Sequence, residues 1–285
     1  VSGLPGRVTV IGGGTIGAVL ARVLAEAGCE VALHVRTPRA LKLRGVRVTT
    51  DLDDALDGAE LVSEAITEAV EPKRAVLERA LVRCPDAIVT TQTSALALDD
   101  LARGPRFAGW HWSNPPDLMD VVEICPGAET DPAVIDRLTE ITEALGKAPA
   151  VLRWPVPGYL LNRLQYALMR EAWNLVESGV CDFADVDCAL THGLGLRWAA
   201  IGPFEVQDVA GLDVHLAVAE SMMPVLDGPR QPPAALREMV ARGDRGTSTG
   251  KGLRGTYDDA TREELVARRE RVMRAVKSAR ASRDR

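Results

Sequence analysis

The sequence predicts an α/β protein, a doubly wound parallel sheet followed by an all-α C-terminal domain. Three observations predict it. Short β-branched runs alternate with helical patterns over the first half of the 285 residues, and such alternation builds a parallel sheet with helices on both faces. A glycine cluster, Gly12-Gly13-Gly14-Thr15-Ile16-Gly17, joins the first run to the first helical pattern. Beyond Pro155-Val156-Pro157-Gly158 the strand pattern stops, and apolar residues recur at helical spacing. That break gives two expected domains, residues 1–155 and 156–285.

Arg7-Val8-Thr9-Val10-Ile11 is the first strand, and residues 18–27 form a helix that Gly28 stops. Between them the spacing is GxGxxG, with a separate task for each glycine. Gly12 allows the tight turn, Gly14 lets the backbone approach a pyrophosphate, and Gly17 lets helix and strand pack closely. Thr15 and Ile16 open the helix, where N–H groups and the positive dipole end face the phosphates. Strand, glycine loop and helix in this order predict a Rossmann-type dinucleotide site.

The second strand covers residues 30–35. Its end commonly carries an acid for the ribose 2′-hydroxyl of NAD, but here it reads His34-Val35-Arg36-Thr37-Pro38-Arg39. Arg36 and Arg39, with the Thr37 hydroxyl between them, suit a 2′-phosphate dianion, which guanidinium groups bind through paired hydrogen bonds. NADP(H) is the favoured cofactor on this reading, NAD(H) the alternative, and plain surface arginines the structural reading.

Residues 59–66 and 87–91 read as the next parallel strands, with a helix over residues 72–83 between them. Ligands in such sheets bind beyond the carboxyl ends of the strands, where Thr91-Gln92-Thr93-Ser94 falls. Ser94 either hydrogen-bonds a substrate oxygen or caps the next helix.

Gly109-Trp110-His111-Trp112-Ser113-Asn114-Pro115-Pro116 is a strand end running into a tight turn, since proline cannot extend a central strand. Glu123 sits in the apolar run Val121-Val122-Glu123-Ile124-Cys125, where an ionised carboxylate is costly without a partner. If the two strands are neighbours, His111 and Glu123 meet. A carboxylate at the imidazole settles which nitrogen carries the proton, and the ring then serves as the general acid/base that a carbonyl reduction needs.

Residues 148–154 read as a closing strand, and a long helix follows over about 159–178. Leu161, Leu164, Leu168, Ala172, Leu175 and Val176 keep helical spacing, so this helix is expected to be core and dimer face. Asn162, in its first turn, either binds substrate near an interdomain cleft or caps locally. A shorter helix is expected over 182–192 and a loop over 193–203. His192 and His215 read as structural, and residues 262–285 as a basic, solvated, fraying helix. The surroundings of Trp173 and Trp198 suggest a homodimer.

With 46% hydrophobic and 26% charged residues the chain can bury a full core. A net charge of −6 offers no general attraction to nucleic acid or an anionic membrane. The cysteines at 29, 84, 125, 181 and 188 form neither a CxxC pair nor a Cys/His cluster, so neither a disulfide framework nor a metal site is expected. No apolar run spans a bilayer, and the first residues lack the pattern of a signal peptide. A cytoplasmic location is the expectation.

The chain resembles the 3-hydroxyacyl-CoA dehydrogenase family from about Arg7 to Tyr257. Thr93-Ser94 resembles the family's Thr-Ser after the fourth strand, His111 with Asn114-Pro115 its His-x-x-Asn-Pro, and Val122-Glu123 its Val-Glu. Pro157-Gly158-Tyr159 with Asn162-Arg163 resembles its Pro-Gly-Phe-x-x-Asn-Arg. The resemblance implies that His111 is the general acid/base, Glu123 its orienting partner, and Ser94 and Asn162 the groups that hold the substrate oxygen. It also places Glu68 and Lys73 at the nicotinamide and cofactor site.

Within the family, Asn114-Pro115-Pro116, Asn162-Arg163-Leu164-Gln165-Tyr166-Ala167 and residues 195–203 look most like the branch containing L-gulonate 3-dehydrogenase, lambda-crystallin and carnitine dehydrogenase. That branch acts on hydroxy acids without coenzyme A. Three departures bear on function. His111-Trp112-Ser113 replaces the His-Phe-Phe of the acyl-CoA enzymes, Val35 stands where the family carries its ribose-binding aspartate, and the link from Arg36 to Asp51 is far shorter than the helical hairpin that forms much of the coenzyme A site.

These readings converge on hydride transfer to a 3-keto acid, ester or cyclic ketone, with NADPH favoured, in biosynthesis of a secondary metabolite such as a polyketide. The alternatives are an NAD-dependent dehydrogenase of a sugar acid, a carnitine-like substrate or a 3-hydroxyacyl-CoA, and a non-catalytic crystallin-like protein.

Overall fold

The computed structural model describes residues 3–37, 41–226 and 234–281. Eight strands make one sheet: β1 (Arg7–Ile11), β2 (Glu30–His34), β3 (Val46–Thr49), β4 (Leu61–Glu64), β5 (Ile88–Thr91), β6 (Phe107–Trp112), β7 (Val121–Pro126) and β8 (Ala148–Val151). Their order is β3-β2-β1-β4-β5-β6-β7-β8, and every neighbouring pair is parallel except β6 with β7. Strands are added outward in opposite directions from β1 and β4, so a crevice opens beyond their carboxyl ends, the usual ligand position in such sheets.

Central strands covered on both faces read as nearly continuous apolar runs, and all six residues of β6 are buried. Helices α1 (Thr15–Glu26) and α5 (Pro132–Ala144) cover one face, where Leu20, Leu24, Leu138 and Ile141 pack with Val10, Trp110 and Ile124. On the other face α2 (Leu52–Leu56), α3 (Val70–Arg83) and α4 (Leu98–Leu101) lie against Ile11, Val62, Val89 and Phe107. His111, Glu123 and Cys125 alternate with the first set and so point to this second face.

The link between Arg36 and Asp51 contains β3, an edge strand the sequence reading leaves out. Its four residues are half-buried or exposed, so the period-2 signal of a buried face is weak there. Asp51 then caps α2 by accepting from the N–H groups of Asp53 and Asp54.

The helical part comprises α6 (Leu161–Glu177), α7 (Phe183–Ala189), a π-helical turn (Leu190–Leu194), α8 (Gly195–Ala200), α9 (Pro203–Ala210), α10 (Leu212–Met222), α11 (Ala234–Ala241), a hairpin of β9 (Lys251–Gly252) and β10 (Gly255–Thr256), and α12 (Asp259–Ala281). The loop expected over 193–203 is instead largely helical. Gly195 makes this possible, because its N–H reaches the Leu190 carbonyl across the wide π turn and a Cβ there would stand 2.7 Å from that oxygen. The helix stops only at Ile201, where the backbone turns extended ahead of Gly202.

Of the expectation that α6 is core and dimer face, the core part is corrected. None of its residues is buried, and Leu164 is 69% exposed. Among the described residues no side chain beyond Tyr159 is buried.

One compact unit runs to Leu164 and a second begins at Gln165, somewhat past the expected division at 155/156. Proline and glycine interrupt the strand pattern there, but packing continues, because Tyr159 joins the sheet's second core and the first turn of α6 is bonded to β7. Among the described residues no helix is long and apolar enough to cross a membrane, and no group of three His, Cys, Asp or Glu residues is placed to hold a metal ion.

Candidate active site

The glycine loop follows β1 directly. Gly12 takes φ +112°, and its N–H donates to the His34 carbonyl at 2.9 Å. A Cβ on Gly12 would stand 2.5 Å from the Ala65 carbonyl oxygen, and one on Gly17 would stand 1.9 Å from the Gly12 carbonyl oxygen. Both contacts are with backbone, so neither is relieved by a side-chain rotation. A Cβ on Gly14 meets nothing within 4 Å, and no side chain caps α1, which starts at Thr15 and Ile16. Open space over an uncapped helix start fits a dinucleotide pyrophosphate. Val35 packs against this loop, since a Cβ on Gly13 would stand 2.7 Å from its Cγ1. Exposed Arg36 and Thr37 come next, whereas Arg39 lies outside the described residues.

Glu64, at the end of β4, is fully buried and meets Lys73 of α3, with Nζ 2.7 and 3.0 Å from its two oxygens. The Thr91 hydroxyl and the Ile66 N–H also donate to it, at 2.6 and 2.7 Å. A buried ion pair persists only when its remaining polar atoms are satisfied in this way. Lys73 lies 3.4 Å from Glu68 as well. Glu68 accepts from the Thr93 hydroxyl at 2.7 Å and from the N–H groups of Ser94 and Ala95 at 2.8 and 3.0 Å. Partial burial pushes its carboxyl up, but the bonds from Thr93, Ala95 and Ser94 and the Lys73 charge outweigh this and hold it below the ordinary range.

Glu64 is not among the residues the sequence reading selects. Its signal is the one that singles out Glu123, an acid inside an apolar strand run.

Antiparallel pairing of β6 with β7 sets His111 directly opposite Glu123. His111 Nδ1 is 2.8 Å from Glu123 Oε2, and both side chains are buried. The other oxygen of Glu123 accepts from the N–H groups of Leu160 and Leu161 at 2.7 and 2.8 Å, so one carboxylate serves the imidazole and the start of α6 together. At the far side of the ring Nε2 is 3.2 Å from the Ser94 hydroxyl. The Tyr159 ring lies nearly parallel to the imidazole, with centroids 4.9 Å apart.

His111 is therefore in direct contact with Glu123 on one side and Ser94 on the other, and Glu68 with Lys73 supports the loop that carries Ser94. Ser94 does not cap the following helix, whose N-cap is Ala97. Asn162 stands half-buried in the turn that Glu123 caps, one residue beyond Leu161, and no hydrogen bond among the described residues joins it to His111.

Residues 39–154 match the NAD binding domain of 3-hydroxyacyl-CoA dehydrogenase, and residues 158–255 match its C-terminal domain. The chain is 30% identical over 301 residues to 5-formyl-3-hydroxy-2-methylpyridine 4-carboxylate 5-dehydrogenase of Mesorhizobium japonicum, across 95% of this chain and 97% of that protein. A solved structure of an enzyme of that name, described as an NAD+-dependent dismutase, is 29% identical with a TM-score of 0.89 over 95% of this chain and 97% of that one. The lambda-crystallin homolog of Bos taurus is 34% identical over 72% of this chain and 74% of its own length. The structure of (S)-3-hydroxybutyryl-CoA dehydrogenase from Ralstonia eutropha gives 27% identity and a TM-score of 0.70, over 90% of this chain and all of that one. The chain belongs to the 3-hydroxyacyl-CoA dehydrogenase family and is a nicotinamide-dinucleotide-dependent oxidoreductase.

Proposed function

We propose that the protein reduces, or in reverse forms, the carbonyl of a compact substrate that carries no coenzyme A, with His111 as general acid/base. A 3-keto acid, ester or cyclic ketone belongs to this class, and so does a biosynthetic ketone of polyketide type. The observation that carries the reading is the placement of His111 between Glu123 at Nδ1 and the Ser94 hydroxyl at Nε2.

The residues at the glycine loop and at Arg36 would hold the dinucleotide, which when bound supplies or accepts the hydride. Written as reduction, protonated Nε2 gives its proton to the developing alkoxide while Nδ1–H stays bonded to Glu123. Ser94 and Asn162 donate to the same oxygen, where charge grows. In the oxidative direction neutral Nε2 takes the alcohol proton.

Two observations support a substrate without coenzyme A. The segment between Arg36 and Asp51 is short and partly taken up by β3. Similarity is also greater to the pyridine carboxylate dehydrogenase structure than to the 3-hydroxybutyryl-CoA enzyme. Arg36 and Thr37 beyond β2 support NADP(H). A second reading, NAD(H), is favoured by the NAD+ dependence of that same pyridine carboxylate relative.

We also infer a homodimer, because among the described residues the helical unit holds no buried side chain. Apolar side chains such as Phe204, Val209, Leu212 and Leu216 stand 61–79% exposed along α9 and α10, a pattern that marks an association surface.

The test is oxidation of NADPH and NADH on acetoacetyl-CoA and on the same ketone carried by a short thioester. Turnover indifferent to the handle supports the reading, and turnover that requires coenzyme A overturns it. His111→Ala is expected to slow single-turnover hydride transfer by about 10²- to 10⁴-fold with dinucleotide binding retained. An unchanged rate removes His111 from the chemistry.

A further inference from the structure

We infer that Tyr159 is a positioning residue whose ring, rather than its hydroxyl, sets the plane of the His111 imidazole so that Nε2 faces Ser94. The inference rests on the reading of His111 as the acid/base. The hydrogen bonds at Nδ1 and Nε2 favour one orientation of the ring about its Cβ–Cγ bond, but hydrogen bonds tolerate sizeable angular misalignment, so they set that rotation only loosely. The Tyr159 ring, 4.9 Å away and inclined by only 13°, limits that rotation from one side.

Tyr159 is itself firmly held. It is 2% exposed and takes φ +50°, a region that non-glycine side chains seldom occupy. Gly158 precedes it with φ +83°, and the next two N–H groups, those of Leu160 and Leu161, are the ones bonded to Glu123. Three consecutive residues thus brace both members of the dyad, one through a ring and two through backbone N–H groups. Gly109 completes the fit, since a Cβ there would stand 2.5 Å from the Tyr159 hydroxyl and 3.2 Å from its ring.

The hydroxyl does not explain the placement. It is buried and finds no hydrogen-bond partner among the described residues, a state that is normally unfavourable. What the site receives from this side chain is an aromatic face, and such a face also attracts the imidazolium that forms when His111 is protonated.

The experiment compares wild-type protein with Tyr159→Phe, Tyr159→Leu and His111→Ala in steady-state turnover and dinucleotide binding. Tyr159→Phe is expected to keep kcat and to unfold at the same or a higher temperature. Tyr159→Leu is expected to lose on the order of 10-fold or more in kcat, as small misplacements of catalytic groups do, with KM and dinucleotide affinity unchanged. Full kcat in the Leu variant overturns the inference, and so does a Phe variant as slow as the Leu variant. Should Tyr159→Leu fail to fold, the ring protons of His111 in the wild type decide: an upfield ring-current displacement relative to the other histidines supports the stack, and its absence overturns it. A His111→Ala variant as fast as wild type would sink the acid/base reading itself, whereas a slow one beside a fast Leu variant would sink the Tyr159 inference alone.

Discussion

Two carboxylates at this site each hold two structures together. Glu123 joins the imidazole to the first turn of α6, and Glu68 joins Lys73 to the loop that carries Ser94. Because hydrogen bonds and Lys73 hold the Glu68 carboxyl below its ordinary 4.5 despite the opposing effect of burial, its contribution to stability is present above that pH and is lost as pH falls through the lower folded-state value. Glu68→Gln should therefore flatten the acid side of the stability curve; unfolding temperatures measured from about pH 3 to about pH 7 check this, and curves parallel to wild type would contradict it. Arg36 supports a different expectation. Hydrogen bonds to charged groups contribute about 1.5–3 kcal/mol, so Arg36→Ala should lower kcat/KM for NADPH by about 10- to 100-fold while leaving NADH nearly unaffected. An unchanged NADPH-to-NADH ratio would make this arginine a surface residue.

At the scale of elements, the glycines of the first loop separate into two kinds. Gly17 is required by its neighbour, the Gly12 carbonyl, whereas Gly14 faces open space at φ −77°, a conformation alanine adopts freely. Gly17→Ala should cost stability, about 1–3 kcal/mol if the backbone yields as overpacked cores do. Gly14→Ala should leave the unfolding temperature intact and weaken dinucleotide binding. Calorimetric melting and dinucleotide titration of the two variants distinguish these outcomes, and equal losses in both assays would refute the division. The same glycine logic explains the π turn, where Gly195 lets a helix continue through a segment whose glycines read as a loop.

For the molecule as a whole, the sheet unit carries every buried side chain among the described residues, and the helical unit carries none. A helical unit without its own core needs another surface to cover its apolar faces, and a second copy is the occupant we infer. Light scattering should give twice the 30.6 kDa chain mass. Leu216→Asp, which places a charge on the exposed face of α10, should yield monomer with a lowered unfolding temperature. A wild-type monomer that unfolds cooperatively at an ordinary temperature would overturn the expectation.

The fold class, the glycine loop and the His111–Glu123 pair were legible in the residues alone, because each rests on a local rule: strand period, the spacing of a tight turn, and the cost of an acid in an apolar run. The same rule would have found Glu64. Tertiary structure alone decided that Glu68 grips the Ser94 loop, that Tyr159 lies flat on the imidazole, and that the first turn of α6 belongs with the sheet. Those contacts join residues 25 to 48 positions apart in the chain, through directions of side chains and N–H groups that no local pattern encodes.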